Sequence, residues 1–321
     1  MNAVNMELIS IVVPTHNEMG NVGELYKQIC AVFSSLEGYD FELIFVDDSN
    51  DDTPKKIEQL SKNDVRVKLI RLVRSFGQVV AIAAGLKRVS GNAAIMMDAD
   101  LQDPPEIIPQ LIEKWKDGNK VVYVKRASSS QSFVYRFLAK NFYRILAKIS
   151  QVKIPLDAGE FRLIDRTLVN FMNNLSERSR FVRGLTVWPG YKSAEVFIKR
   201  AERLSGDTKY NYRKSFGVAV DGIVSFSTVP LRLATFAGII ISLSSLLLAL
   251  VYFVVWLISP DIFDAGYMSI FLLITGIGGI NLFCVGVVGE YVGRVFESLQ
   301  DRPLYIVDYE IGFSEEKGLG E

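Results

Sequence analysis

Short apolar runs alternate with segments of mixed polarity between residues 8 and 124. Runs of this length, rich in Val, Ile and Leu, predict buried strands at residues 8–14, 41–46, 67–72, 93–97 and 120–124. The segments between them carry apolar residues at helical spacing, and they predict helices at residues 26–33, 53–62, 79–89 and 107–115. Because strands that alternate with helices build βαβ units, we predict an α/β domain of Rossmann-like form with a mostly parallel sheet.

A different pattern begins nearer the C-terminus, where two long stretches carry no charge. The first lies between Arg232 and Asp261 and is 28 residues long, and the second lies between Asp264 and Glu290 and is 25 residues long. Each exceeds the roughly 20 residues that a helix needs to cross a bilayer core. We therefore predict a two-helix transmembrane region within residues 231–293, with a pair of buried core helices as the alternative.

The charges that flank these stretches predict their orientation. Lys and Arg residues precede the first stretch and follow the second, whereas the connecting loop carries only Asp261 and Asp264. The positive-inside rule then places both chain termini in the cytoplasm. The predicted localisation is the inner or plasma membrane, as a multi-pass protein whose N-terminal domain faces the cytosol.

Composition narrows the range of partners. Lys plus Arg and Asp plus Glu both total 36, so the formal net charge is zero and no overall basic field favours nucleic acid. The two cysteines, Cys30 and Cys284, make no disulfide framework. His16 is the one histidine of the chain, which excludes a zinc site built on several histidines.

Polar side chains follow several of the predicted strands. Ligands of parallel sheets bind beyond the carboxyl ends of the strands, and these ends carry His16, Asn17, Glu18, Asp47, Asp48, Asp98 and Asp100. Crowded carboxylates repel one another unless a cation intervenes, so the pattern indicates a hard divalent ion with oxygen ligands. Asp98 and Asp100, taken alone, also suit the capping of the helix that begins near Pro104. The sequence contains neither a Gly-x-Gly-x-x-Gly after the first strand nor a Walker A motif, which argues against a dehydrogenase and a P-loop enzyme.

Several motifs, in order along the chain, resemble those of a known family. IVVPTHNE at residues 11–18, VDDS at 46–49 and DADLQDPP at 98–105 are similar to the nucleotide-binding and Asp-x-Asp motifs of family 2 glycosyltransferases. The last motif is similar in particular to the form in dolichyl-phosphate mannosyltransferases and bacterial polyprenyl-phosphate glucosyltransferases. RSFG at 74–77, GEFRL at 159–163 and the two apolar stretches extend the resemblance over nearly the whole chain. It implies a glycosyltransferase A-type domain.

The resemblance also implies roles for the positions that match its motifs. Those expected to bind the nucleotide-sugar donor are Pro14, His16, Glu18, Val46, Asp48, Asp98, Ala99 and Arg126. Asp100 and Gln102 are expected to bind Mg²⁺ or Mn²⁺, and Arg203 and Lys209 are expected to hold a phosphate of the donor or of the lipid. A metal and fixed cations of this kind stabilise a nucleoside diphosphate as it leaves.

Two carboxylates are candidates for the catalytic base. The family usually has Asp where this chain has Glu160, and Asp157 lies three residues earlier. The expected nucleophile is a lipid phosphate, whose second pKa near ~6 leaves it mostly ionised at neutral pH. A strong base is therefore less necessary than for a sugar hydroxyl. We rank Glu160 above Asp157 as the base or orienting group.

The implied function is an inverting transfer of one sugar, with glucose as the preferred candidate, from a UDP-sugar to undecaprenyl or another polyisoprenyl phosphate. The expected regions are a cytoplasmic glycosyltransferase domain at 1–210, an amphipathic juxtamembrane segment at 211–230, two transmembrane helices at 231–293 and a cytoplasmic tail at 294–321. Glycines of the second apolar stretch permit helix association, so a homo-oligomer is a further hypothesis.

Two alternatives to this function stay open. A processive polysaccharide synthase has similar N-terminal motifs, but it uses a Gln-x-x-Arg-Trp signature that this chain lacks. A non-catalytic membrane scaffold with a glycosyltransferase fold is the alternative from another class. The intact acidic motif, with Asp98, Asp100 and Gln102 all present, argues against such a loss of activity.

Overall fold

A computed structural model of the chain describes residues 6–126, 158–175, 182–198, 229–258, 267–300 and 302–313. Its strands are β1 (Glu7–Thr15), β2 (Tyr39–Asp47), β3 (Val67–Leu72), β4 (Ala93–Met96), β5 (Val121–Arg126), β6 (Ala158–Asp165), β7 (Ser193–Ile198) and β8 (Val307–Ile311). Its helices are α1 (Val22–Ser34), α2 (Thr53–Asn63), α3 (Gln78–Arg88), α4 (Ile108–Lys116), α5 (Arg166–Asn173), α6 (Val182–Leu185), α7 (Val229–Ile258) and α8 (Tyr267–Leu299). They form two compact units, one with the strands and α1 to α6, the other with α7 and α8.

The strands form one sheet in the order β7-β5-β6-β4-β1-β2-β3-β8. The four strands β4, β1, β2 and β3 run parallel to one another, and β5 runs parallel to β7. β6 is antiparallel to β4 and β5, and β8 is antiparallel to β3. The predicted α/β class with a mostly parallel sheet is confirmed.

The central strands are buried on both faces, which is why they read as continuous apolar runs in the sequence. On one face Ile9 and Ile11 of β1 belong to the same core cluster as Leu25 and Ile29 of α1. On the other face α3 packs against the sheet at Gly85. A Cβ atom at this position would lie 2.3 Å from Val12 Cγ1, so glycine allows α3 to approach this closely. The close packing fixes the position of α3, whose first turn borders the site described below.

Three strands were not predicted from the sequence, and their polar residues explain why. β6 carries Glu160 and Arg162 on one of its faces, and Arg162 is buried although it is charged. β8 has the sequence VDYEI and lies at the edge of the sheet, with exposed side chains at two of its five positions. β7, at the opposite edge, likewise exposes Ser193 and Phe197. Half-exposed edge strands lack the continuous apolar run that identified the central ones.

The C-terminal residues are more ordered than a simple tail. α8 continues to Leu299, past the predicted boundary at residue 293, and β8 joins the sheet by pairing with β3. The predicted tail 294–321 therefore contains a strand of the sheet. The amphipathic juxtamembrane segment expected at 211–230 lies outside the described residues except for its last two, which belong to α7.

α7 and α8 form the second unit, and they coincide with the two uncharged stretches. α8 is 33 residues long, which corresponds to about 50 Å of helix. Among the described residues, one helical stretch, Gly276–Gly293, is long and apolar enough to cross a membrane, with a mean hydropathy of 1.3. Exposed side chains on it include Leu282 and Phe283. The second predicted span is thus supported, and the first, within α7, stays a prediction.

Candidate active site

A cavity of about 310 Å³ lies where the parallel strands end. Its lining comes from the residues that end or follow β1, β2, β3 and β4: Pro14, Thr15, His16, Glu18, Asp48, Ser75, Gly77, Gln78, Ala81, Asp98, Ala99 and Asp100. These strands are neighbours with a common direction, so their carboxyl ends meet at one edge of the sheet. The structure therefore brings together seven of the residues predicted as donor or metal ligands, among them the acidic Glu18, Asp48, Asp98 and Asp100.

A buried carboxylate organises this edge. Asp47, the last residue of β2, is fully buried, and its carboxylate accepts hydrogen bonds from Thr15 Oγ1 at 2.9 Å and Ser49 Oγ at 2.5 Å. The guanidinium of Arg71 on β3 forms an ion pair with the same carboxylate and donates a second hydrogen bond to the Ser49 carbonyl at 2.6 Å. One side chain thus ties together the ends of β1, β2 and β3.

Asp48 faces the cavity and contacts His16. Asp48 Oδ1 lies 2.7 Å from His16 Nδ1, and the His16 side chain is about half exposed while that of Asp48 is nearly buried. Asn17 next to it has a φ of 59°, and its backbone N–H donates to Ser49 Oγ at 2.8 Å. The two loops after β1 and β2 are therefore linked to each other, and together they present an imidazole ring and a carboxylate to a ligand.

Glu18 closes the same side of the cavity at the approach to α1. Its backbone N–H donates to Thr53 Oγ1 at 3.0 Å, and its carboxylate accepts from Asn21 Nδ2 at 2.6 Å. Both contacts hold the Glu18 backbone and side chain in place. The polar rim of the cavity is thus continuous from β1 to the start of α1 and α2.

The acidic motif after β4 forms the opposite wall. Asp98 Oδ1 accepts a hydrogen bond from Gln78 Nε2 at 2.5 Å, whereas Asp100 is exposed and its Oδ1 accepts from the backbone N–H of Gln102 at 3.1 Å. Leu101, between Asp100 and Gln102, has a φ of 59°, which marks a tight turn. Asp98 and Asp100 both line the cavity, and so does the buried Ala99 between them. Gln102 is half-buried, and it does not belong to the cavity lining.

The loop after β3 is the part of the site that sequence reasoning missed. Ser75 and Gly77 line the cavity, followed by Gln78 and Ala81 in the first turn of α3. The motif RSFG is part of the family resemblance, but the resemblance implies no ligand role for it. The strand-end rule applied to β3, as it was to β1, β2 and β4, identifies this loop.

Glu160 lies at the same edge of the sheet, on β6. The register pairs Met96 with Arg162, and its continuation by two residues places Glu160 level with Asp98. Glu160 Oε2 lies 3.7 Å from Arg162 Nη2, and Arg162 Nη1 donates to Thr186 Oγ1 at 2.9 Å. A buried guanidinium thus flanks the carboxylate that the sequence ranks first as the base.

The remaining predicted residues are placed differently. Val46 is fully buried beneath α3, next to Gly85, and is not part of the cavity lining. Arg126 ends β5 at the same edge of the sheet. The other candidates, Asp157, Arg203 and Lys209, lie outside the described residues.

The sheet and its acidic edge define a Rossmann-like domain of the glycosyltransferase A type. Residues 10–171 match the family described as "Glycosyl transferase family 2". This chain belongs to that family, and the predicted resemblance is confirmed.

Relatives match over almost their whole length. The chain is 41% identical over 301 residues to an uncharacterized glycosyltransferase of Synechocystis sp., covering 93% of this chain and 94% of the relative. It is 39% identical over 304 residues to a prophage bactoprenol glucosyl transferase homolog of Escherichia coli K12, covering 93% and 98% of the two chains. It is 38% identical over 308 residues to a bactoprenol glucosyl transferase of Shigella phage SfV, covering 94% and 98%.

The buried ion pair makes a testable prediction about stability. Arg71→Leu leaves the fully buried Asp47 carboxylate without its cation, which we expect to lower the free energy of unfolding by about 3–5 kcal/mol. Thermal unfolding of the full chain in detergent measures the loss. The control is Lys55→Leu, because Lys55 and Asp52 form an ion pair whose side chains are both mostly exposed. A decrease in Tm no larger than that of the control would contradict the structural role of Arg71.

Proposed function

We propose that this enzyme transfers glucose, or a closely similar sugar, from a UDP-sugar to a polyprenyl phosphate, with inversion at the anomeric carbon. The observation that carries the proposal is the convergence of Asp48, Asp98 and Asp100 on one cavity at the carboxyl edge of the sheet. The identity to bactoprenol glucosyl transferases, at 38–39% over nearly the whole chain, supports the same substrate classes.

The side chains of the cavity suit the chemical groups of a nucleotide-sugar. The His16 ring offers a flat surface for a base, and Asp48 and Glu18 offer acceptors for ring N–H and hydroxyl groups. Asp98 and Ala99 are assigned to the ribose and diphosphate side. Arg126, Arg203 and Lys209 are proposed as phosphate contacts, since Arg matches phosphate geometry and Lys supplies a point charge.

A divalent cation fits the acidic wall. Asp98 and Asp100 present oxygen ligands, of which Asp100 is exposed, and oxygen ligands are those that Mg²⁺ and Mn²⁺ prefer. Among the described residues no group of three or more His, Cys, Asp or Glu side chains is close enough to hold an ion alone. Mg²⁺ commonly binds through one or two carboxylates and completes its shell with substrate phosphates. We assign Asp100 to the ion, together with Gln102, which the family resemblance implies as a ligand. The ion would neutralise charge on the departing diphosphate.

The transfer itself requires one bond exchange. An oxygen of the lipid phosphate forms the new bond to the anomeric carbon, the bond from that carbon to the β-phosphate oxygen breaks, and its electron pair leaves with UDP. Attack from the face opposite to the leaving group inverts the anomeric centre. Glu160, level with Asp98 on β6, is assigned to orient the acceptor or take its residual proton, with Asp157 as the alternative.

The chain path supports the proposed membrane topology. β7 and β8 lie in one sheet, so the chain that leaves at Ile198 and returns at Val307 crosses any membrane an even number of times. If the apolar stretch Gly276–Gly293 of α8 crosses, we assign the second crossing to α7. The glycosyltransferase domain and both chain ends then share one side of the membrane, which the flanking charges assign to the cytoplasm.

The proposed reaction predicts metal-dependent formation of a lipid-linked sugar. Membranes that contain the enzyme are incubated with undecaprenyl phosphate and a panel of labelled nucleotide-sugars, with Mg²⁺, with Mn²⁺ or with a chelator. We expect labelled lipid from UDP-glucose with either metal, and a loss of at least roughly 10²-fold in Asp100→Asn, because the charge on the leaving group is then poorly stabilised. Folded enzyme that yields no labelled lipid from any donor would contradict the proposal.

The assignment of Glu160 as the base predicts that substitutions of Glu160 and Asp157 differ in their effect on kcat. Glu160→Gln is expected to lower kcat by roughly 10²-fold while UDP-glucose binding stays unchanged, since Glu160 acts on the acceptor rather than the donor. Glu160→Asp retains the carboxylate and serves as the conservative control. Asp157→Asn should have little effect on kcat. A large loss in Asp157→Asn with an active Glu160→Gln would reverse the assignment.

A further inference from the structure

The residues that follow α8 return to the sheet beside the cavity. The return segment, residues 305–313, contains β8, which pairs with β3 so that Leu72 lies opposite Val307. Beyond this pair, the backbone N–H of Val73 donates to the Ile306 carbonyl at 3.2 Å. Val73 is the first residue of the loop, residues 73–77, that leads from β3 to the cavity. The return segment therefore holds the beginning of this loop.

The return segment also holds the helix at the other end of the loop. Glu310 accepts two hydrogen bonds from Arg88 of α3, from Nε at 3.0 Å and from Nη2 at 2.5 Å. The Arg88 guanidinium lies 5.6 Å from the centre of the Phe313 ring, and Lys87 Nζ lies 5.9 Å from that of Tyr305. The Arg88 and Glu310 side chains are 34% and 21% exposed, so this paired contact is partly shielded from water.

Loop 73–77 needs such anchoring because its own residues make little contact with the core. Val73, Arg74 and Ser75 are exposed, and Gly77 has a φ of 89°, a conformation that glycine adopts freely. Nevertheless, this loop supplies Ser75 and Gly77 to the cavity. It also leads into Gln78, which hydrogen-bonds Asp98 across the cavity.

We propose that the return segment is a positioning element of the donor site: by holding β3 and α3, it orders loop 73–77 before the donor binds. A loop that is ordered in advance does not add its ordering entropy to the cost of binding. Donor affinity therefore depends on residues that lie after the apolar helix α8 and outside the cavity. The identity of the ligand as a UDP-sugar rests on the proposed function, whereas the ordering of the loop does not.

The Arg88–Glu310 contact provides the kinetic test. Glu310→Gln and the reciprocal Arg88→Gln are expected to raise the Kd and KM for UDP-glucose about three- to fivefold, with kcat at saturating donor unchanged, because the loop is ordered only on binding. The matched control is Glu7→Gln, which removes the ion pair with Lys116 at the amino end of β1, away from the cavity. If Glu310→Gln lowers Tm but leaves Kd and KM at the control's values, the return segment is merely structural and the proposal is overturned.

Hydrogen exchange tests the ordering without any donor. In the full chain in detergent, amides of residues 74–78 should exchange faster in Glu310→Gln than in the unaltered enzyme, while Glu7→Gln leaves them unchanged. Equal exchange in all three proteins would overturn the inference, whatever the donor is. If the unaltered enzyme binds no UDP-sugar, the proposed function fails, and the exchange of residues 74–78 still decides whether the return segment orders the loop.

Discussion

The site depends on one buried charge. Asp47 is removed from water at the end of β2, and a buried carboxylate is tolerated only when hydrogen bonds and a cation compensate for its lost hydration. Thr15 on β1, Ser49 in the following loop and Arg71 on β3 supply this compensation. Each of these groups must keep its place for the charge to remain satisfied. The requirement fixes the ends of three strands relative to one another.

This arrangement also orients the residues that line the cavity. With Asp47 turned inward, Asp48 is presented to the cavity, where it meets His16. The parallel strands deliver the acidic motif after β4 to the same edge, and the close approach of α3 at Gly85 places Gln78 within reach of Asp98. The cavity is thus a consequence of strand direction and helix packing, and the start of loop 73–77 is hydrogen-bonded to the return segment.

The sequence was sufficient to predict the central part of this picture. Continuous apolar runs identified β1 to β5 because strands buried on both faces show no polar alternation. The strand-end rule then identified His16, Asp48 and Asp98 as residues that share an edge. The pattern of apolar and polar residues does not distinguish the inward Asp47 from the outward Asp48, since both are acidic. The family resemblance selected Asp48, and the ion pair with Arg71 shows why Asp47 is turned inward.

Other features depended on contacts between distant residues. β6 and β8 carry charged side chains whose partners, Thr186 and Arg88, lie elsewhere in the chain, so neither strand has the continuous apolar run that identified the central strands. The alternation of apolar and polar residues in VDYEI is the local signal that could have identified β8. Val46 matches a family motif, yet its side chain is buried under α3 rather than exposed to the cavity. Gln78 gains its importance only from the hydrogen bond to Asp98.

We propose that the cavity at the carboxyl edge binds the uridine nucleotide of the donor. The most direct measurement is photolabelling of the full chain with 5-azido-UDP-glucose, followed by mass spectrometry of the labelled peptides. We expect labelling within residues 14–18 or 48–50, suppressed by excess UDP, because the uracil ring is assigned to the side of the cavity formed by His16 and Asp48. UDP-sensitive labelling confined to peptides outside the cavity would contradict it.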